Sequence, residues 1–299
     1  MDITLKTLTP LWTGGVDGTM DRLHETGLIG SLRWWYEVIV RGLGGYACDP
    51  TGDNHCEYDP QKPAPPEKQL CAACYLFGCT GWQRKFKLII LDESRNLFSI
   101  QPKKDGLAEN IMMVWQFIQL RPIDDEEKWL LYQAVHIASN YGVIGGRTPR
   151  KPQGNKKVGG DSGLFTIENE SGIPQEIDKE RVMKWLKIGQ FRRVTHEEWP
   201  DLRWFFFIQK QHLKRKKINE LLGLSEDGKK QISHNGFQKA LRGKIGVSKK
   251  IFSFEKPPGR MWGYLPNQIL RERTISYLRE NLGIQAENIK NGQEVLHEL

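Results

Sequence analysis

No apolar run in the 299-residue chain reaches the roughly 18 to 20 residues a membrane-spanning helix needs. The first residues, MDITLKTLTP, carry neither the basic stretch nor the apolar stretch of a secretory leader, so a cytoplasmic protein without a membrane association is expected. Cysteine is missing from the first 47 residues and from the last 220, because all five lie between Cys48 and Cys79. In a reducing compartment such clustering points to a metal site rather than to disulfides. Histidine is sparse at seven residues, and no Ser-His-Asp or His-Glu-x-x-His pattern is present. Acidic residues thin out between Arg203 and Lys250, where only Glu220, Glu226 and Asp227 face thirteen cations.

What is present suits a soluble globular chain, with 38% hydrophobic and 27% charged residues. Lys and Arg total 44 against 36 Asp and Glu, for a net charge of +8. That bias favours a polyanionic partner. Ten Trp is a high number. Exposed rings beside cations would suit single-stranded bases, which stack while their phosphates meet charge; rings in a core would do neither.

Along the chain, residues 2–9 alternate apolar and polar and predict a strand. A polar loop runs on to about Gly30. Ser31 is a plausible N-cap for an amphipathic helix whose Leu32, Trp35, Tyr36 and Ile39 share one face. Arg33, Glu37 and Arg41 fall on the opposite face, which is expected to meet solvent. Residues 43–82 hold Gly, Pro and every cysteine and form an insertion. Strand candidates follow in RKFKLIILD, NLFSI and IMMVWQFIQL. Asp124, with Glu127 three residues on, opens a second helix that ends near Gly142. A glycine- and lysine-rich loop spans 142–161, and GLFTI predicts another strand.

With one extra short strand allowed, the order is β-α-β-β-α-β, the ferredoxin-like (RRM-like) arrangement, an α+β fold shared by many functions. We therefore expect one domain over 1–168. An α+β half over 169–299 follows, with a helix in KERVMKWLKIG, strands in RWFFFIQKQ and KIFSFEK, and a polar C-terminal helix. That half is either a second ferredoxin-like unit or an elaboration of the first.

The cysteine spacing is Cys48-x7-Cys56-x14-Cys71-x2-Cys74, with Cys79 beyond. A C-x-x-C turn sets two thiolates on one tetrahedral ion, and two distant thiolates close the site. Cys48, Cys56, Cys71 and Cys74 are the expected ligands of a structural zinc. Cys79 is the fifth candidate, and His55 could replace Cys56. Four cysteines leave no open coordination position, so this site would hold structure and not a reaction. In the glycine-rich loop, backbone N–H groups could approach phosphates, with Arg147, Arg150 and Lys151 adding charge. Its spacing is not that of a P-loop or a dinucleotide fingerprint.

Three segments together resemble the RAMP superfamily of CRISPR proteins. TPLWTGG, the loop VDGTMDRLHETGLI and GSLRWWYEVIVRG resemble its first strand, variable loop and Gly-Ser-opened helix. CAACYLFGCTGWQRKF resembles the Cys-rich approach to the second strand in Cmr-type capping subunits. GVIGGRTPRKPQG resembles the superfamily's glycine-rich loop, although Pro149, Lys151 and Pro152 depart from its usual continuation. The resemblance covers about residues 3–165. It implies a non-catalytic RNA-binding subunit of a type III-B ribonucleoprotein of antiviral defence, near the guide RNA 3′ end. Its partners would be guide RNA, target RNA and other RAMP subunits. On that reading Arg33, Arg84, Lys85, Arg147, Arg150 and Lys151 are expected to meet phosphates.

The rival expectation is a metal-dependent or guide-processing ribonuclease using Asp17, Asp21 or His24. Asp beside Gly more often caps a turn, and a lone His more often makes a hydrogen bond. We therefore expect no catalysis.

Overall fold

The computed structural model describes residues 1–15, 18–102, 106–146, 161–188, 191–194, 199–233, 235–243 and 248–299. The chain is mixed α/β and divides into two compact units. One holds the described residues up to Gly146 and from Ser162 to Val194. The other holds Asp161 and the residues from Trp199 to Glu298.

In the first unit the alternation of residues 2–9 forms β1 (Asp2–Thr7), with Ile3, Leu5 and Thr7 on its buried face. Helix α1 (Glu25–Gly42) starts earlier than Ser31, at an N-cap on His24. Ser31 sits inside the helix, where its hydroxyl accepts from the Gly145 N–H at 3.0 Å. Two short helices, α2 (Pro66–Gln69) and α3 (Ala72–Phe77), lie in the insertion. Strands β2 (Phe86–Leu91) and β3 (Met112–Gln119) follow. NLFSI is not a strand: Leu97 makes one isolated bridge to Leu91, and Leu97 and Ile100 are exposed.

Helix α4 (Asp125–Asn140) opens on the expected capping box of Asp124 and Glu127. Strand β4 (Phe165–Ser171) and helix α5 (Lys179–Lys187) complete the unit. The strands are antiparallel in the order β2-β3-β1-β4. Ile3 and Ile90 both pair with Trp115, and Leu88 pairs with Phe117, so one sheet face is continuously apolar.

The second unit contains β5 (Phe205–Gln209), α6 (Arg215–Leu221), α7 (Gly236–Leu241), β6 (Ile251–Phe254), β7 (Arg260–Tyr264), α8 (Gln268–Leu282), β8 (Ile289–Asn291) and α9 (Gly292–His297). Its strands run antiparallel in the order β6-β7-β5-β8. Numbered within the unit this is 2-3-1-4, the order of the first sheet. Strands β7 and β8 were not expected from the sequence. Phe206, Ile208, Ile251 and Met261 pack with Leu221, Leu241 and Leu278 as one core. The opposite sheet face carries Phe205, Phe207, Trp262 and Tyr264 in near-parallel stacks, with Phe252 and Trp262 at 4.1 Å between ring centroids.

No described helix is long and apolar enough to cross a membrane. Of the ten Trp, Trp35, Trp115, Trp129 and Trp262 are buried and the other six half-buried, so none is a fully exposed stacking platform.

Candidate metal centre and basic residues

The insertion is organised around its cysteines. The Cys71 sulfur caps α3 by accepting from the Cys74 N–H at 3.4 Å, so the C-x-x-C turn sets both sulfurs on one side. The Cys56 sulfur accepts from the Cys71 N–H at 3.3 Å, and the Cys71 sulfur accepts from the Cys48 N–H at 3.4 Å. All four sulfurs are buried and lie within 4.8 Å of one another. Cys48 is 3.3 Å from Cys74 and 3.7 Å from Cys71, sulfur to sulfur. A disulfide needs about 2.05 Å. A tetrahedral ion bound at about 2.3 Å by four sulfurs sets them about 3.8 Å apart. The donor set therefore fits a closed tetrathiolate metal site.

Cys79 and His55 stand outside it. The Cys79 thiol donates to the Thr80 carbonyl at 3.6 Å, and the His55 ring contacts the Gly52 carbonyl and Glu57 at 2.8 and 3.2 Å. Hydrogen bonds from Cys48, Cys71 and Cys74 hold Cys56 far below an ordinary thiol. Contacts with Cys48, Cys56 and Cys71 push Cys74 far above one.

The polar stripe of α1 corrects the sequence reading. Arg33, Glu37 and Arg41 do not face solvent: their side chains are only 14%, 5% and 10% exposed. The insertion folds back over that face. Arg33 donates to Glu37 at 2.7 Å, to the Gly78 carbonyl at 2.8 Å and to the Cys74 sulfur at 3.1 Å. Arg41 donates to the carbonyls of Ala47 and Cys48 at 2.9 and 3.2 Å and lies 3.6 Å from Glu37. Burial works against the Arg33 charge, but Cys74 and Glu37 hold its pKa above the usual arginine value. Burial pushes the Glu37 carboxyl up against the pull of both arginines.

Lys85 is likewise turned inward. Its side chain is 4% exposed and its ammonium donates to the fully buried Glu127 at 2.7 Å, lying 3.5 Å above the Tyr75 ring centre. Burial pushes Glu127 up to about 7 despite that partner. Neither Lys85 nor Arg33 is presented to a phosphate. Arg84 is half-buried. Asp17, Arg147, Arg150 and Lys151 lie outside the described residues.

The described glycines of the basic loop serve packing. A Cβ on Gly142 would sit 2.1 Å from the Trp35 ring. Gly145, at φ +83°, donates to Ser31, and the Gly146 N–H donates to the Trp12 carbonyl at 2.8 Å. These N–H groups are taken by the chain itself rather than offered to phosphate.

Of the ribonuclease candidates, His24 and Asp21 are paired at 2.6 Å, and that bond holds the exposed Asp21 carboxyl below its ordinary pKa. The His24 N–H donates to the Thr13 hydroxyl at 2.8 Å. In the basic stretch after Arg203, several charges are locally paired. Arg203 meets Asp201, Lys216 meets Glu226 and Lys217 meets Glu220. Arg242 donates to the Leu222 and Ser233 carbonyls.

Arg41 and Glu127 each belong to a buried charge network, and sequence reasoning missed both roles. The only available signal was spacing: i, i+4, i+8 for the stripe, and the capping box for Glu127.

The RAMP superfamily model matches residues 4–150, which include most of β1 and all of α1, the cysteine quartet, β2, β3 and α4. No curated protein matches the chain.

Proposed function

We propose that the protein is a RAMP-superfamily, non-catalytic RNA-binding subunit of a type III CRISPR ribonucleoprotein. In this reading it caps a Cmr-type complex near the guide RNA 3′ end, contacts guide and target RNA, and packs against other RAMP subunits in the cytoplasm. The observation that carries the reading is the family match over residues 4–150. The strand orders support it: both sheets run 2-3-1-4 within their units, and we read both as ferredoxin-like. The four cysteines would hold one zinc, which supplies a rigid closed crosslink and no reactive position.

With Arg33 and Lys85 engaged inside the first unit, the phosphate-facing set reduces to Arg84, Arg147, Arg150 and Lys151. Binding of that kind is sequence-tolerant and salt-dependent. Arg147→Glu with Arg150→Glu should weaken RNA retention and reduce the log–log salt slope by roughly 0.9 for each lost phosphate contact. An unchanged affinity and slope would refute the assignment.

The Asp21–His24 pair favours one second reading, an endoribonuclease of the same superfamily. Cleavage needs more than an acid–base pair: the attacking hydroxyl must be aligned and the developing charge met. The adjacent cation, Arg22, is paired with Glu25 at 2.9 Å.

A further inference from the structure

Two distant ligand segments of the cysteine quartet are tied to one helix. Cys48 and Cys74 are 26 residues apart, yet each segment is gripped by an arginine of α1. Arg33 reaches the Cys74 sulfur itself and the Gly78 carbonyl just beyond it. One turn pair along the helix, Arg41 reaches the carbonyls of Ala47 and Cys48. Glu37 lies between them, one oxygen toward each guanidinium. The i, i+4, i+8 spacing puts all three on one helical stripe.

Burying three charges is expensive unless they satisfy one another and their surroundings. Here the stripe sums to +1, and its excess charge faces sulfur. Four thiolates around a divalent ion carry a net charge of −2. A positive, hydrogen-bonding stripe against such a centre is a matched pair, whereas against four neutral thiols it would be an uncompensated buried cation.

We propose that Arg33 and Arg41 are positioning residues of the metal centre. Arg33 donates directly to the Cys74 thiolate, Arg41 fixes the Cys48 segment, and Glu37 locks the two guanidinium groups. This rests on the metal reading above and adds to it an assignment of the α1 stripe to the ion instead of to RNA. It also ties the helix packed on the first sheet to the state of the insertion.

The test uses the full chain loaded with cobalt(II) in place of zinc, comparing wild type with Arg33→Met, Arg33→Lys and Glu37→Gln. Metal affinity is read by competition with a chromophoric chelator, and the thiolate-to-cobalt charge-transfer band is read by absorption. Arg33→Met should bind cobalt 10–100-fold more weakly, the usual cost of losing an outer-shell partner. Its charge-transfer band should move to lower energy, because a sulfur without its N–H donor gives up charge more readily. Arg33→Lys should recover part of the affinity. Glu37→Gln removes the one anion of the stripe and leaves it at +2, so it should move the band to higher energy and by less, and it provides the readout should Arg33→Met not fold. A mere loss of packing would weaken binding without moving the band. Unchanged affinity and band in folded Arg33→Met, or in Glu37→Gln where Arg33→Met does not fold, would overturn the proposal. So would a fall in RNA affinity with metal binding intact. A wild-type chain that takes up no cobalt would instead overturn the metal reading itself.

Discussion

Replacing Lys85 by Met separates a phosphate contact from a structural ion pair. The methionine keeps most of the apolar stem and removes the ammonium that sits 2.7 Å from Glu127. Both side chains are out of solvent, at 4% and 0% exposure, and a second Glu127 oxygen has no hydrogen-bond partner. Breaking a buried pair by removing one member typically costs about 3–5 kcal/mol. That is a large share of the roughly 5–15 kcal/mol that holds an ordinary domain together.

The cost must depend on pH, and its sign follows from Glu127. Its folded pKa of about 7 lies above the ordinary 4.5, so the folded state holds the proton more tightly than the unfolded one. Its contribution is fully present below about pH 4.5 and is lost as pH rises through about 7. The gap between those two values corresponds to about 3 kcal/mol. At pH 5 the wild-type carboxyl is mostly protonated, so losing the ammonium matters little. At pH 8 the variant must either bury an unpaired carboxylate or hold a proton against the solution.

Lys85→Met should therefore destabilise the first unit much more at pH 8 than at pH 5. The measurement is urea-induced loss of hydrogen-exchange protection in β2 and α4, at both pH values. Adding Glu127→Gln, which can still accept from the Asp124 N–H, should restore most of the loss. RNA affinity of the folded variant should match wild type. A loss below about 1 kcal/mol at pH 8, or weaker RNA binding with unaltered stability, would refute the inward assignment of Lys85.

Two further outcomes follow from the site. Stripping metal with a chelator should expose amides of 43–82 to exchange while those of β1, β3 and β4 stay protected; near-stoichiometric zinc in elemental analysis of the untreated protein is the companion measurement. Asp21→Ala and His24→Ala, placed in an assembled complex, should leave every target-RNA fragment on a gel unchanged, and the loss of one specific product with binding intact would make the protein a nuclease subunit.

Local patterns in the sequence carried far where the responsible atoms are neighbours in the chain. The Asp124–Glu127 capping box needs only one helical turn, and it forms as expected. The C-x-x-C turn needs only the start of α3. Strands β1, β3 and β5 announce themselves by alternation or by an unbroken apolar run. Strand β7, RMWGY, contains Gly263, and β8 is three residues long, so neither has a pattern that stands out. In NLFSI the β propensity was present, but its pairing stops at one isolated bridge, Leu97 with Leu91. Ser31 had the chemistry of an N-cap, yet its hydroxyl serves Gly145, a residue 114 positions away.

The α1 stripe marks where periodicity stops being informative. A period of 3.6 tells which side chains share a face, and it grouped Arg33, Glu37 and Arg41 correctly. It does not tell what covers that face, because cover is supplied by chain elsewhere in the sequence. A helix with one apolar and one charged side was expected to meet water on the charged side. Here Val38 and Val40 are as fully buried as Trp35 and Tyr36, so the helix is covered on more than its apolar face. The cysteines were the missing cue. A metal cluster that begins six residues after a helix ends must fold near it, and tetrathiolate centres carry negative charge. Two arginines on the adjacent face are then its natural counterions, which inverts the inference from solvent and RNA to sulfur.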